Sequence, residues 1–180
     1  HLPLKILSLD NIILNEKNNN LFLGFYFGIL LLFLIYNMIL SFFLKEKLYL
    51  YYALYLFFLL ITNGTTKGVT FSVLWPDYPL LNQFSYLYAA ITLIFMVLFI
   101  MDLLDTKVKL PKYSKIFHLF ILIFSIVCFL VFYNRVLSVL LLQFSTTIFT
   151  LFLLWFGLKS YLIRRDKLSL FFVCVWTVYI

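Results

Sequence analysis

The chain has 180 residues, of which 65% are hydrophobic and only 12% charged, with a formal net charge of +7. A soluble domain is roughly 45–50% apolar and ~25% charged, so a water-soluble fold is excluded. Several stretches exceed the ~18 consecutive apolar residues that mark a spanning helix, and the reading is a polytopic all-α membrane bundle.

The stretches are apolar on every face, unlike the alternating strands of a β-barrel. The basic residues lie between them, which removes nucleic acid as a partner. Residues 1–20 are the most polar segment, with Asp10-Asn11 suited to a turn and Asn18–Asn20 to a linker. The membrane domain is read as 21–180. Its first span is predicted at 21–43, followed by a short loop, Lys45-Glu46-Lys47. The second is predicted at 48–63. A longer connection then runs through Gly64, Gly68, Trp75-Pro76 and Pro79 to Asn82. The third span is predicted at 83–104, and "DTKVKLPKYSK" reads as a loop because it holds a proline and four lysines. The fourth is predicted at 116–133, with Asn134-Arg135 as a tight turn, and the fifth at 136–157. After "KSYLIRRDK" comes an apolar run over 168–180. At 1.5 Å per residue it spans only ~20 Å, short of a ~30 Å hydrocarbon core. It is expected to be the start of a sixth span, and the chain a piece of a longer protein.

Lys and Arg set the orientation of such a bundle. Ten of the 14 fall after spans one, three and five: Lys45, Lys47, Lys107, Lys109, Lys112, Lys115, Lys159, Arg164, Arg165 and Lys167. The other side holds Lys5, Lys17, Lys67 and Arg135. The N-terminus is therefore expected outside and the ten-residue side in the cytoplasm. Tyr49, Tyr51, Tyr52, Trp75, Tyr78, Tyr86, Tyr88, Tyr113, Tyr133 and Tyr161 lie near the predicted borders. Their apolar bodies and polar tips suit the headgroup zone.

An ionisable group deep in a span would mark a proton or ion path, and none is found. Asp102 and Asp105 sit at the cytoplasmic end of span three, and His118 is at the start of span four. No metal-binding, nucleophile-elbow or phosphate-cradling motif is present. Cys128 and Cys174 fall inside predicted spans and read as small core residues. No catalytic residue, metal site or cofactor is expected.

The polar groups inside spans are Tyr36, Asn37, Gln143 and Thr146-Thr147. Asn37 lies ~9 Å above the cytoplasmic end of its span at 1.5 Å per residue. Gln143 lies at a similar depth from the outer edge, so the two do not form one site. Each reads either as interhelical hydrogen-bond glue or as a switch whose bond exists in one signalling state. Gly24 and Gly28 form a G-x-x-x-G that permits close helix approach. The connection "VTFSVLWPDYPLLN" is apolar but broken by Pro76 and Pro79, so it cannot span. It reads as an interfacial anchor held by Trp75, or, with Tyr78, as the rim of a site for an apolar ligand.

The ordered set "LGFYFGILLLFLIYNMIL", "YLYYALYL", Gly68, "LWPDYPLLN" and "DLLDTKVKLP" resembles the membrane module of bacterial seven-transmembrane receptors with diverse intracellular signalling modules (7TMR-DISM). The resemblance covers roughly residues 20–157. It implies seven helices in the cytoplasmic (inner) membrane, with an extracytoplasmic sensor domain before them and a cytoplasmic cyclase, kinase or phosphatase after them. Residues 1–20 resemble the last strands and linker of that sensor domain. Beyond span five the basic residues and Trp176 are kept, but the small-residue step expected before span six is not seen. The chain is thus expected to be a signal-transducing receptor module whose partners are the lipid bilayer and its own sensor and output domains, with a homodimer left open. Its ligand or switch candidates are Asn37, Tyr36, Trp75, Tyr78 and Gln143. Because the family carries Tyr36-Asn37 as a pair, Asn37 is expected to bond across to a neighbouring helix. The competing class is a transporter subunit or carrier half, which would need paired repeats and broken helices at the midplane.

Overall fold

The computed structural model describes residues 9–70 and 74–164. Among the described residues the α-helices run in order α1 (Leu9–Leu44), α2 (Lys47–Lys67), α3 (Ser85–Leu103), the short α4 (Thr106–Lys109), α5 (Pro111–Leu130) and α6 (Arg135–Arg164). A 3-10 turn, Pro79–Phe84, precedes α3. Among the described residues five segments are long and apolar enough to cross a bilayer: Asn20–Leu44, Lys47–Lys67, Leu80–Leu103, Pro111–Leu130 and Arg135–Leu162. The chain is a multi-pass α-helical membrane protein. Since the spans alternate in direction, the turns after α1 and α3 share one end of the bundle, called the basic end. The α2–α3 connection and the α5–α6 turn share the other, the Trp75 end.

Several boundaries differ from the sequence reading. The first span, Asn20–Leu44, lies within a residue of the expected 21–43, but its helix extends back to Leu9, so Asp10-Asn11 and Asn18–Asn20 are helical and not turn and linker. Residues 9–20 are likewise helix and not strand. Asn and Asp are only weak helix breakers, no Gly or Pro lies between Leu9 and Leu23, and extending an existing helix is far easier than nucleating one. The "DTKVKLPKYSK" segment is a loop only briefly: α4 occupies Thr106–Lys109, and Pro111 opens α5, where its missing N–H is no loss. The basic residues after span five continue α6 to Arg164. The sixth span predicted at 168–180, with Cys174 and Trp176, lies outside the described residues.

Two non-glycine residues turn the chain at the basic end in the left-handed region, Lys45 at φ 54° and Asp105 at φ 49°. Asp accepts that conformation readily and Lys does not. The Lys45 N–H donates to the Ser41 carbonyl at 3.0 Å, which closes α1.

α3 is the central element, packing against α2 and α5 and touching α6. With little hydrophobic drive between helices in lipid, close packing and small residues hold such bundles together. The contact faces fit that rule. Ala53 of α2 and Ala90 of α3 are buried, and α6 buries Ser138, Leu142, Ser145, Phe149, Leu153, Phe156 and Ser160 along one helical stripe. Between α5 and α6 runs an aromatic ladder. Tyr113 meets Phe156 at 5.3 Å, Phe117 meets Phe152 at 5.2 Å, Phe120 meets Phe149 at 4.8 Å, and Phe124 meets Phe149 at 5.7 Å. Each such pair adds about 0.5–1.5 kcal/mol beyond area burial in soluble proteins.

α1 stands apart. It packs on α2, and among its described side chains Asn37 is the one that is buried. Gly24 and Gly28 face open space, so the G-x-x-x-G expected to bring a helix close has no neighbour among the described residues. The close approach occurs instead at Gly64, where a β-carbon would collide with the Thr70 methyl.

Candidate functional site

The most elaborate polar construction lies at the Trp75 end. α2 closes on Gly68 at φ 76°, a conformation glycine adopts freely. The chain turns back so that Thr70 packs against the bare backbone of Gly64. The Thr70 carbonyl then accepts from the Leu74 and Trp75 amides at 2.8 and 3.1 Å. The Trp75 carbonyl accepts from the Tyr78 amide at 3.1 Å, and Pro79 opens the 3-10 turn that delivers Asn82.

Asn82 is the hub. Its side-chain oxygen accepts from the buried Thr70 hydroxyl and from the Trp75 indole N–H, both at 3.2 Å. A carbonyl oxygen has two lone pairs, so both bonds can be made at once. The Trp75 ring leans on Tyr88 with centroids 6.4 Å apart, and the Tyr88 hydroxyl donates to the Leu81 carbonyl at 3.3 Å. The connection is thereby tied to α2 through Thr70 and to α3 through Tyr88.

Three more ties sit at the same end. The Asn63 amide donates to the Tyr26 hydroxyl at 2.7 Å, joining α2 to α1. Thr62 and Thr92 share a hydroxyl hydrogen bond at 3.2 Å, joining α2 to α3. Arg135 donates from Nη2 to the Gln83 carbonyl at 2.9 Å, joining the start of α6 to the 3-10 turn. Such bonds in membrane helices are worth about 0.6–2 kcal/mol each. Together they form a polar belt around one end of a bundle whose middle is apolar.

The sequence-derived candidates distribute unevenly over this site. Trp75 belongs to it, as a half-buried residue bonded to Asn82. Tyr78 is in the same connection but 68% exposed, and contributes its backbone. Tyr36 is 55% exposed on α1, far along the helix from the belt. Asn37 is buried, and among the described residues its amide makes no bond to a neighbouring helix. It donates to the Phe33 carbonyl at 2.8 Å, one turn back in α1. The physical reason is local: an Asn side chain on a helix reaches the carbonyl four residues earlier without help from a second helix. Gln143 is exposed on α6, and the bonds at it go to its backbone carbonyl, from Thr146 and Thr147 at 3.1 and 2.9 Å. It is not interhelical glue among the described residues. His118 is exposed and folds back along its own helix, its ring nitrogen 2.7 Å from the Ser114 carbonyl.

Asn82, Thr70, Tyr88, Asn63, Tyr26 and Thr62 were not singled out as site residues from sequence. A signal existed in part, since Asn82 closes a Trp-Pro…Pro…Asn segment in which a polar residue recurs beside apolar ones. The amides, hydroxyls, indole and guanidinium of the belt act here as hydrogen-bond donors and acceptors. Among the described residues no group of three His, Cys, Asp or Glu is placed to hold a metal. The belt's chemistry is that of hydrogen bonds between neighbouring elements.

A family model described as 7TM diverse intracellular signalling matches residues 19–180. A comparison with curated proteins finds no match, nor does one with solved structures.

Proposed function

The chain belongs to the 7TM diverse intracellular signalling family, a family of membrane signalling modules, and on that premise we propose that it relays an extracytoplasmic stimulus to a cytoplasmic output domain of the same protein. In this reading the Trp75 end faces outward in a bacterial inner membrane and the basic end faces the cytoplasm, as the charge asymmetry supports. The segment before residue 21 belongs to a sensor domain, and the output domain, a cyclase, kinase or phosphatase, follows the last span. The bilayer and these two domains are the partners; a homodimer is the expected assembly to test.

The observation that carries the reading is the unlike construction of the two ends. The Trp75 end is held by separate hydrogen bonds, each worth about 0.6–2 kcal/mol, centred on Asn82. The α5–α6 pair is held by contiguous aromatic packing that reaches Tyr113, near the basic end. Individual polar contacts can be exchanged one at a time, whereas a packed ladder moves as a body. A stimulus that binds better when the Asn82 contacts are open shifts the population by its own differential affinity. α3 runs from that hub to the Asp105 turn and packs on both α2 and α5, so a tilt begun at Asn82 reaches the basic end.

The test is the full-length receptor carrying Trp75→Phe, which removes the indole donor and keeps an aromatic ring. Output per membrane-inserted receptor is expected to change in the absence of stimulus, with insertion retained. Unchanged basal and stimulated output would exclude the hub from signalling. Reporter fusions at Tyr78 and Lys112 test the orientation separately, and a cytoplasmic Tyr78 would reverse it.

A further inference from the structure

A groove of about 420 Å³ opens at the Trp75 end between α1 and the end of α2, lined by Phe22, Leu23, Tyr26, Phe27 and Lys67. Phe22 with Tyr26 and Leu23 with Phe27 are four apart on α1, so they form two parallel ridges with the furrow running along the helix axis. Lys67, in the last turn of α2 and exposed, stands at the mouth. Among the described residues it has no hydrogen-bond or ion-pair partner. Arg135 at the same end differs, because its guanidinium is engaged on the Gln83 carbonyl. Tyr26 is already the acceptor for Asn63 at 2.7 Å, which leaves its own phenol proton to donate to another group.

We propose that this groove binds an anionic phospholipid, with the phosphate on Lys67 and the Tyr26 hydroxyl and an acyl chain in the furrow along α1. Three features converge on that chemistry. The exposed Lys67 ammonium and the Tyr26 phenol proton supply a cationic and a neutral donor for phosphate oxygens. The aromatic walls supply an elongated apolar track that a soluble anion would not use. The groove also sits where two spans end, the depth at which a headgroup passes into hydrocarbon. In the orientation proposed above this is the outer leaflet. The lipid preference itself does not depend on which leaflet it is, so its failure is distinguishable from a failure of the topology.

The experiment is native mass spectrometry of the purified full chain in micelles containing phosphatidylglycerol and phosphatidylcholine with identical acyl chains. Both lipids offer the phosphate, but the choline ammonium cancels its charge and repels Lys67, so phosphatidylglycerol is expected to be retained about tenfold better. Lys67→Gln should remove the preference, Tyr26→Phe should weaken it, and Lys67→Arg should keep it. Equal retention of the two lipids, including the case in which a carboxylate from elsewhere in the chain occupies Lys67, overturns the proposal. So does an unchanged preference in Lys67→Gln. Displacement of the phospholipid by inorganic phosphate at matched concentration would show a site for a soluble anion and would overturn it too.

Discussion

Replacing Asn82 by Ala removes the acceptor shared by Thr70 and Trp75. The two losses are unequal. Thr70 is 4% exposed, so its hydroxyl is left buried without its partner, and an unsatisfied buried group costs about 1–3 kcal/mol. Trp75 is only half-buried, so its indole N–H can find water or a headgroup, and its loss is nearer the net value of about 0.5–1.5 kcal/mol. The expected destabilisation is about 1.5–4.5 kcal/mol, with a central value near 3. The assay is thermal or denaturant unfolding of the purified chain in detergent, followed by helical content. Two further variants separate hub from packing. Asn82→Asp retains an acceptor oxygen and should lose much less. Thr70→Val combined with Asn82→Ala should lose less than the two singles added, because the orphaned hydroxyl is gone, with a coupling of about 0.5–1.5 kcal/mol. Strict additivity, or an Asn82→Asp variant as unstable as Asn82→Ala, would refute the argument.

Gly64→Ala gains about 1 kcal/mol of helix propensity but drives a methyl into the Thr70 side chain. A net loss of about 1–2 kcal/mol in the same unfolding assay is expected from overpacking, and a gain in stability would contradict the close approach. Lys45→Gly should raise stability by about 1 kcal/mol, since Lys45 holds a left-handed φ of 54° that glycine adopts without strain; a lower midpoint would argue against strain at that turn. Asn37→Leu in the full-length receptor is expected to alter basal output while the protein still inserts. Among the described residues the amide bonds only within its own helix, so a change in output on losing it would mark a state in which it bonds elsewhere. Unaltered output would leave Asn37 a packing residue.

Composition alone determines that this chain lives in a membrane. No soluble fold can hide runs such as 21–43, and each helix satisfies its own backbone, so span number and alternation are local properties of the chain. The ends of the spans were less legible, because Lys, Asn and Asp tolerate helix and the chain outside the apolar runs is largely helical, as at Leu9–Asn20 and, in two pieces broken at Leu110, at Thr106–Lys109 and the start of α5. Which polar group meets which was not legible at all. Asn37 and Gln143 stand out in the sequence as amides among apolar residues, yet one bonds within its own turn and the other faces outward. Asn82, one amide among several in an irregular connection, becomes the hub. What decides this is the close contact of Thr70 with Gly64 and the fold-back of Trp75, which bring Thr70, Trp75 and Asn82 to one oxygen. A hydrogen bond requires its two atoms within about 3 Å at the right angle. Only the packing of α2 against α3 and the path of the chain between them set that distance.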